Sequence, residues 1–143
     1  MIAYLDASAL VKRYVREAGS TEVARLFDPA VTLGTSLVTR AEVAAAIARA
    51  ARLHMLAGRQ AEAAFKAFRT HWPSFIRLRL DEAAVSDAGS LAWQHALTGI
   101  DSIHLATALI WQGALGAPVV LATFDNQLRA GALAAGLQVW PEA

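Results

Sequence analysis

The chain has 143 residues, of which 56% are hydrophobic and only 17% charged, with a net charge of +1 and no cysteine. This length predicts one domain with a real core, residues 1–143. The composition excludes a disordered tail, and the missing cysteine excludes a disulfide framework, a thiolate metal site and a cysteine nucleophile.

Ile2–Leu5 is a short apolar run ending at Asp6 and reads as a buried strand. Helical spacing follows over Ser8–Glu17 until Gly19, then a second short helix over Thr21–Phe27, closed by Asp28-Pro29. Val31–Thr35 is the second strand. A long helix opens at Ser36 or Thr39 and runs to about Leu56, and another spans Arg59–His71. Phe75–Leu80 alternates as a third strand. Asp81 is positioned to cap a helix through Leu97, and Asp101 one through Trp111. Pro118–Thr123 is a fourth strand, Asn126–Ala135 a helix and Leu137–Trp140 a short fifth strand. Strands alternating with helices predict an α/β fold with a largely parallel sheet.

Between Ser102 and Phe124 no formal charge occurs, a length sufficient to span a bilayer. Gln112, Gly113, Gly116 and Pro118 break that stretch into a helix and a β-rich run, so a soluble protein is expected. The N-terminus lacks the basic and apolar regions of a signal peptide, and a cytoplasmic location is the simplest expectation. Charge is unevenly placed. Arg40 to Arg79 carries eight basic and two acidic residues, so this segment is +6 and the remainder −5. Such a segment is either a pair of helices with solvated basic faces or a surface that binds phosphates, with Arg40, Arg49 and Arg52 as candidate contacts.

The residues with chemistry sit where strands end and helices begin. Asp6 ends the first strand, Asp125 follows the fourth, Asp101 opens one helix and Glu42 lies early in another. Each has an ordinary structural role available: Asp6, Asp101 and Asp125 as N-caps, and Glu42 as the end of a Thr39-Arg40-Ala41-Glu42 capping box. In a parallel sheet, however, ligands bind beyond the carboxyl ends of the strands. Four carboxylates gathered there would repel one another unless cations neutralise them. Mg²⁺ or Mn²⁺, which favour oxygen ligands, would serve, and metal-assisted phosphodiester hydrolysis is the matching chemistry. Ser8 and Thr123, each two residues from an aspartate, are candidate supports, although Ser8 could equally cap the first helix. His104, one helical turn beyond Asp101, reads as a packed or capping histidine.

Tyr4-Leu5-Asp6-Ala7-Ser8-Ala9-Leu10-Val11-Lys12 resembles the opening motif of PIN-domain nucleases, more narrowly of the VapC toxins of bacterial toxin–antitoxin pairs. Thr39–Val43, Asp101–Ala108 and Thr123-Phe124-Asp125 match the later motifs in order, so the resemblance spans essentially the whole chain. It implies a PIN-like α/β/α sandwich around a largely parallel sheet of about five strands. It further implies an Mg²⁺- or Mn²⁺-dependent endoribonuclease with Asp6, Glu42, Asp101 and Asp125 as the acidic quartet and metal ligands. RNA, with tRNA and rRNA as candidate substrates, a cognate antitoxin and a homodimeric partner are the implied associations, with no membrane. Ser102 stands where many relatives have alanine, a small-for-small change that leaves the site intact.

Two other classes fit the residues less well. Phosphoryl transfer through an aspartyl intermediate at Asp6 would call for a second aspartate at Ser8, or an acidic pair and a late-strand lysine, and the sequence has neither. A PIN-like scaffold that binds RNA or protein without cleaving would be favoured by an incomplete quartet, and all four carboxylates are present.

Overall fold

The computed structural model describes residues 1–142. Five strands, β1 (Ile2–Leu5), β2 (Thr32–Ser36), β3 (Ile76–Leu78), β4 (Val120–Ala122) and β5 (Gln138–Trp140), form one parallel sheet in the order β3-β2-β1-β4-β5. Seven α-helices are found among the described residues. The first strand-to-strand connection carries α1 (Ala7–Leu10) and α2 (Ser20–Leu26), and the second α3 (Val38–Arg52) and α4 (Gly58–His71). The third carries α5 (Glu82–His95) and α6 (Gly99–Leu115), and α7 (Asn126–Ala134) joins β4 to β5. The expected α/β sandwich is therefore present, with every expected strand in place to within a few residues.

β1 is the centre of the sheet and explains its layering. Side chains alternate across a strand, so Ala3 and Leu5 enter one core with Leu10, Val43, Ile47, Phe68 and Trp72. Tyr4 enters the opposite core with Leu105, Trp111, Leu121 and Leu128. The first core is covered by the α1–α4 half of the chain and the second by the α5–α7 half. Trp72 and Trp111 are core residues, whereas Trp93 is 93% exposed. The uncharged Ser102–Phe124 stretch holds most of α6 and all of β4, and no helix among the described residues is long and apolar enough to cross a membrane.

Three local expectations change. The first helix ends at Leu10 and tightens into a 3₁₀ turn over Val11–Arg13 instead of reaching Glu17. Val11, Tyr14 and Val15 are weak helix formers, and Lys12 turns back to an ion pair with Glu17 at 2.9 Å. Helix α6 starts two residues before Asp101. Its cap is Thr98, whose Oγ1 accepts from the Asp101 backbone N–H at 3.2 Å. Thr39 does not cap α3 either: it lies inside the helix, wholly buried. Its Oγ1 is 2.8 Å from that of Thr35, whose hydroxyl donates to the Leu5 carbonyl at 2.7 Å. In the last two cases an acidic side chain is released from the capping role that local pattern suggested.

The two halves meet tightly at Gly34, paired with Tyr4 across β1 and β2. A Cβ at Gly34 would stand 2.5 Å from the Trp111 ring. Trp111 is core-packed and cannot retreat freely, so Gly34→Ala is expected to destabilise the fold by about 1–3 kcal/mol. Chemical denaturation checks this, and unchanged stability would mean that α6 has room to move off the sheet.

Candidate active site

The strand order reverses between β1 and β4, the place where a parallel sheet opens a crevice at its carboxyl edge. The backbone prepares that crevice directly. Leu5 is in register with Ala122, and the Asp6 N–H donates to the Ala122 carbonyl at 3.2 Å, which sets Asp6 beside Thr123.

Asp6 is only 3% exposed. Its Oδ1 accepts from the Ala9 N–H at 2.9 Å, capping α1, and from the Ser8 hydroxyl at 2.7 Å. Its Oδ2 accepts from the Thr123 hydroxyl at 2.6 Å and lies 2.9 Å from Ser8 Oγ. The two hydroxyls spend their protons on Asp6 and accept in return from the loop after β4. Ser8 Oγ takes the Phe124 N–H at 2.9 Å, and Thr123 Oγ1 takes the Asp125 N–H at 3.1 Å. Ser8 and Thr123 thus fasten the end of β1 to the end of β4 around one carboxylate. Asp125 is half-buried and caps α7 through Oδ1, which accepts from Leu128 N–H at 2.8 Å.

Glu42, on the second turn of α3, is half-buried, and its Oε1 meets His104 Nε2 at 2.6 Å. His104 is 1% exposed on α6, and its Nδ1 lies 2.7 Å from the Tyr4 hydroxyl. Sequence reading placed His104 in the packing but missed this bond to Glu42. The available signal was its position one turn after Asp101 in a largely apolar helix. Arg40 is exposed at the start of α3, its guanidinium 5.9 Å from the Trp72 ring centre. Arg49 and Arg52 are also exposed, but lie about 10 and 15 Å farther along the helix axis than Glu42. There they line a groove of about 600 Å³ with Val11, Val15, Leu53 and Met55.

The electrostatics link Asp101 to Asp125 and Asp6. Burial raises the Asp6 pKa above the ordinary carboxylate range, outweighing the opposing bonds from Thr123, Ser8 and Ala9 and the attraction of His104. Asp101 is raised too, by burial first and then by the negative charges of Asp125 and Asp6, against the Thr98 bond. Tyr4 is held well above its usual value by burial, with Asp6 and Glu42 adding to it. Asp6, Asp101 and Asp125 stand at helix starts, where the helix dipole favours negative charge, and Glu42 lies a turn further in. An all-oxygen donor set under mutual repulsion suits a hard divalent cation. Among the described residues no three acidic or histidine side chains are already gathered at ligating distance.

A carboxyl whose folded pKa is raised binds its proton more tightly in the native chain than in the unfolded one. Its contribution to stability is therefore present below the unfolded pKa and lost as pH rises through the folded value. In metal-free protein, Asp6→Asn removes this loss. The stability of Asp6→Asn relative to wild type is expected to improve steadily from about pH 4 towards neutrality, read by denaturant unfolding in EDTA. A pH-independent difference would contradict the burial of a charged Asp6.

A family model described as "PIN domain" matches residues 3–132. Ribonuclease VapC49 of Mycobacterium tuberculosis is 38% identical to this chain over 98% of it and 95% of the relative. Among solved structures, Mycobacterium tuberculosis VapC20, titled a sarcin-ricin loop cleaving toxin, superposes with a TM-score of 0.66 at 18% identity, covering 94% of this chain and 95% of that one. A toxin-antitoxin complex from Klebsiella pneumoniae gives a TM-score of 0.64 at 19% identity, over 90% and 91% of the two chains. At such identities the structural likeness is one of fold. Matched along most of its length by that family model and by relatives of its own size, the chain belongs to the PIN-domain family, in its VapC branch.

Proposed function

We propose that this protein is a metal-dependent endoribonuclease that hydrolyses RNA phosphodiester bonds and acts as the toxin of a toxin–antitoxin pair. The observation that carries the reading is the Asp6 carboxylate, 3% exposed at the strand-order reversal and held there by Ser8 and Thr123. A charge so costly to bury is hard to explain as a helix cap alone, since a cap contributes only about 1 kcal/mol. The name ribonuclease borne by the 38%-identical relative supports the same substrate class.

Asp6, Asp101 and Asp125 would hold Mg²⁺ or Mn²⁺, with Glu42 as the fourth carboxylate. When bound, the ion supplies charge stabilisation at the phosphate and a nucleophile competent near neutral pH. Ser8 and Thr123 keep the Asp6 carboxylate in a single orientation, which limits the reorganisation needed on binding. Arg40, exposed at the head of the same helix as Glu42, is the arginine best placed to contact the RNA backbone, and tRNA and rRNA are the substrates to try first. Arg49 and Arg52 instead flank the apolar groove with Leu53 and Met55, 56% and 64% exposed. That groove suits an amphipathic antitoxin segment carrying acidic residues. A homodimer and a cytoplasmic site of action complete the reading.

The test is cleavage of tRNA and rRNA fragments by purified protein with Mg²⁺ or Mn²⁺ and with EDTA. Cleavage is expected only with the metal, and folded Asp6→Asn should be slower by about a hundredfold or more. An Asp6→Asn protein cutting at the wild-type rate would sink the assignment.

A further inference from the structure

Beyond the carboxylates, three side chains on three different elements form a continuous hydrogen-bonded line. Tyr4 on β1 is wholly buried, and its hydroxyl is 2.7 Å from His104 Nδ1 on α6. The opposite ring nitrogen, Nε2, is 2.6 Å from Glu42 Oε1 on α3. The Tyr4 and His104 rings also meet edge to face, with centroids 5.8 Å apart and planes at 67°. Among the described residues no buried side-chain nitrogen or oxygen lacks a partner, so the imidazole is fully satisfied by these two contacts.

The chemistry of the line fixes its direction. A carboxylate only accepts, so Nε2 must carry the proton shared with Glu42. In the neutral imidazole Nδ1 is then the acceptor, and the Tyr4 hydroxyl donates to it, which favours that tautomer. Glu42 is half-buried, on a flexible side chain that reaches from α3 to His104 on α6. Without the imidazole its carboxylate would be free to turn towards solvent.

We propose that His104, locked by Tyr4, is a positioning residue that orients Glu42 for the proposed phosphodiester cleavage, acting through Glu42 and not on the RNA. The proposal rests on the nuclease reading for its consequence, but its geometry is readable without activity. Tyr4 and Asp6 lie two residues apart on one strand end, so a single β-strand orients two of the four carboxylates: Asp6 directly and Glu42 through His104. Partners of this kind, one step removed from a reactive or ligating group, commonly change activity by about 10- to 100-fold when lost.

Three variants separate orientation from packing. His104→Leu fills the space but offers Glu42 no donor. His104→Gln carries its amide nitrogen the same number of bonds from the backbone as the imidazole Nε2, so it keeps the donor. Tyr4→Phe leaves the ring and removes only the hydroxyl. Nitrogen-15 NMR of the metal-free wild type, at a pH where the imidazole is neutral, should show His104 protonated at Nε2 and not at Nδ1, and Tyr4→Phe should weaken that preference. The Glu42 carboxyl carbon resonance should move in His104→Leu and return towards wild type in His104→Gln. In RNA cleavage, kcat should fall about 10- to 100-fold in His104→Leu with KM little changed, and His104→Gln should recover most of it. A neutral His104 protonated at Nδ1 alone, or a Glu42 resonance indifferent to His104→Leu, overturns the proposal. So does a folded His104→Leu with wild-type kcat. If His104→Leu does not fold, the decision falls to His104→Gln and Tyr4→Phe: loss of kcat in His104→Gln equal to that of a Glu42→Gln protein overturns it. A wild type that cleaves no RNA with metal overturns the nuclease reading instead, while the two NMR readouts still decide the alignment of Glu42.

Discussion

The burial of one carboxylate at the junction of β1 and β4 governs the architecture around it. Asp6 sits at the end of the central strand with almost no contact with water, and such a group is tolerated only if its oxygens are answered by donors. Those donors come from both sides of the strand-order reversal, Ser8 and Ala9 after β1 and Thr123 after β4. Because each hydroxyl also accepts a backbone N–H from the loop beyond β4, the same bonds that satisfy Asp6 hold that loop closed. Arg129 on α7 extends the bracing by donating to the Thr123 carbonyl at 3.2 Å.

The other acidic groups are brought to this edge by helix starts. Asp125 caps α7, Asp101 stands in the first turn of α6 and Glu42 lies early in α3. Helix N-termini soften the cost of gathering negative charge, but do not cancel it, as the raised pKa of Asp101 beside Asp125 and Asp6 records. Two residual features point outward from this arrangement. His104 bonds Glu42 from α6, and the exposed Arg40 stands two residues before Glu42 on α3.

Much of this was legible in the residues. The apolar runs marked all five strands, and the ordered motifs around Asp6, Glu42, Asp101 and Asp125 indicated both the fold and the family. What local pattern misjudged was the use of side chains near helix starts. Thr39-Arg40-Ala41-Glu42 satisfies a capping rule, yet the Thr39 hydroxyl is claimed by Thr35 from the adjacent strand and Glu42 by a histidine sixty-two positions away. Asp101 satisfies one too, yet Thr98 takes the cap. Tertiary partners decide such cases, and a rule confined to neighbouring residues does not contain them. The apolar surplus has a comparable resolution. Two cores flank a narrow sheet, and the remainder surfaces at side chains such as Trp93, Leu53 and Met55.

In the proposed function the four carboxylates act as one site for a hard divalent cation. Titration calorimetry of Mn²⁺ into metal-stripped protein at neutral pH tests it most directly. The account predicts saturable binding that weakens when Asp6, Asp101 or Asp125 is individually changed to asparagine in a folded protein. The absence of saturable binding, or binding indifferent to all three substitutions, would contradict it.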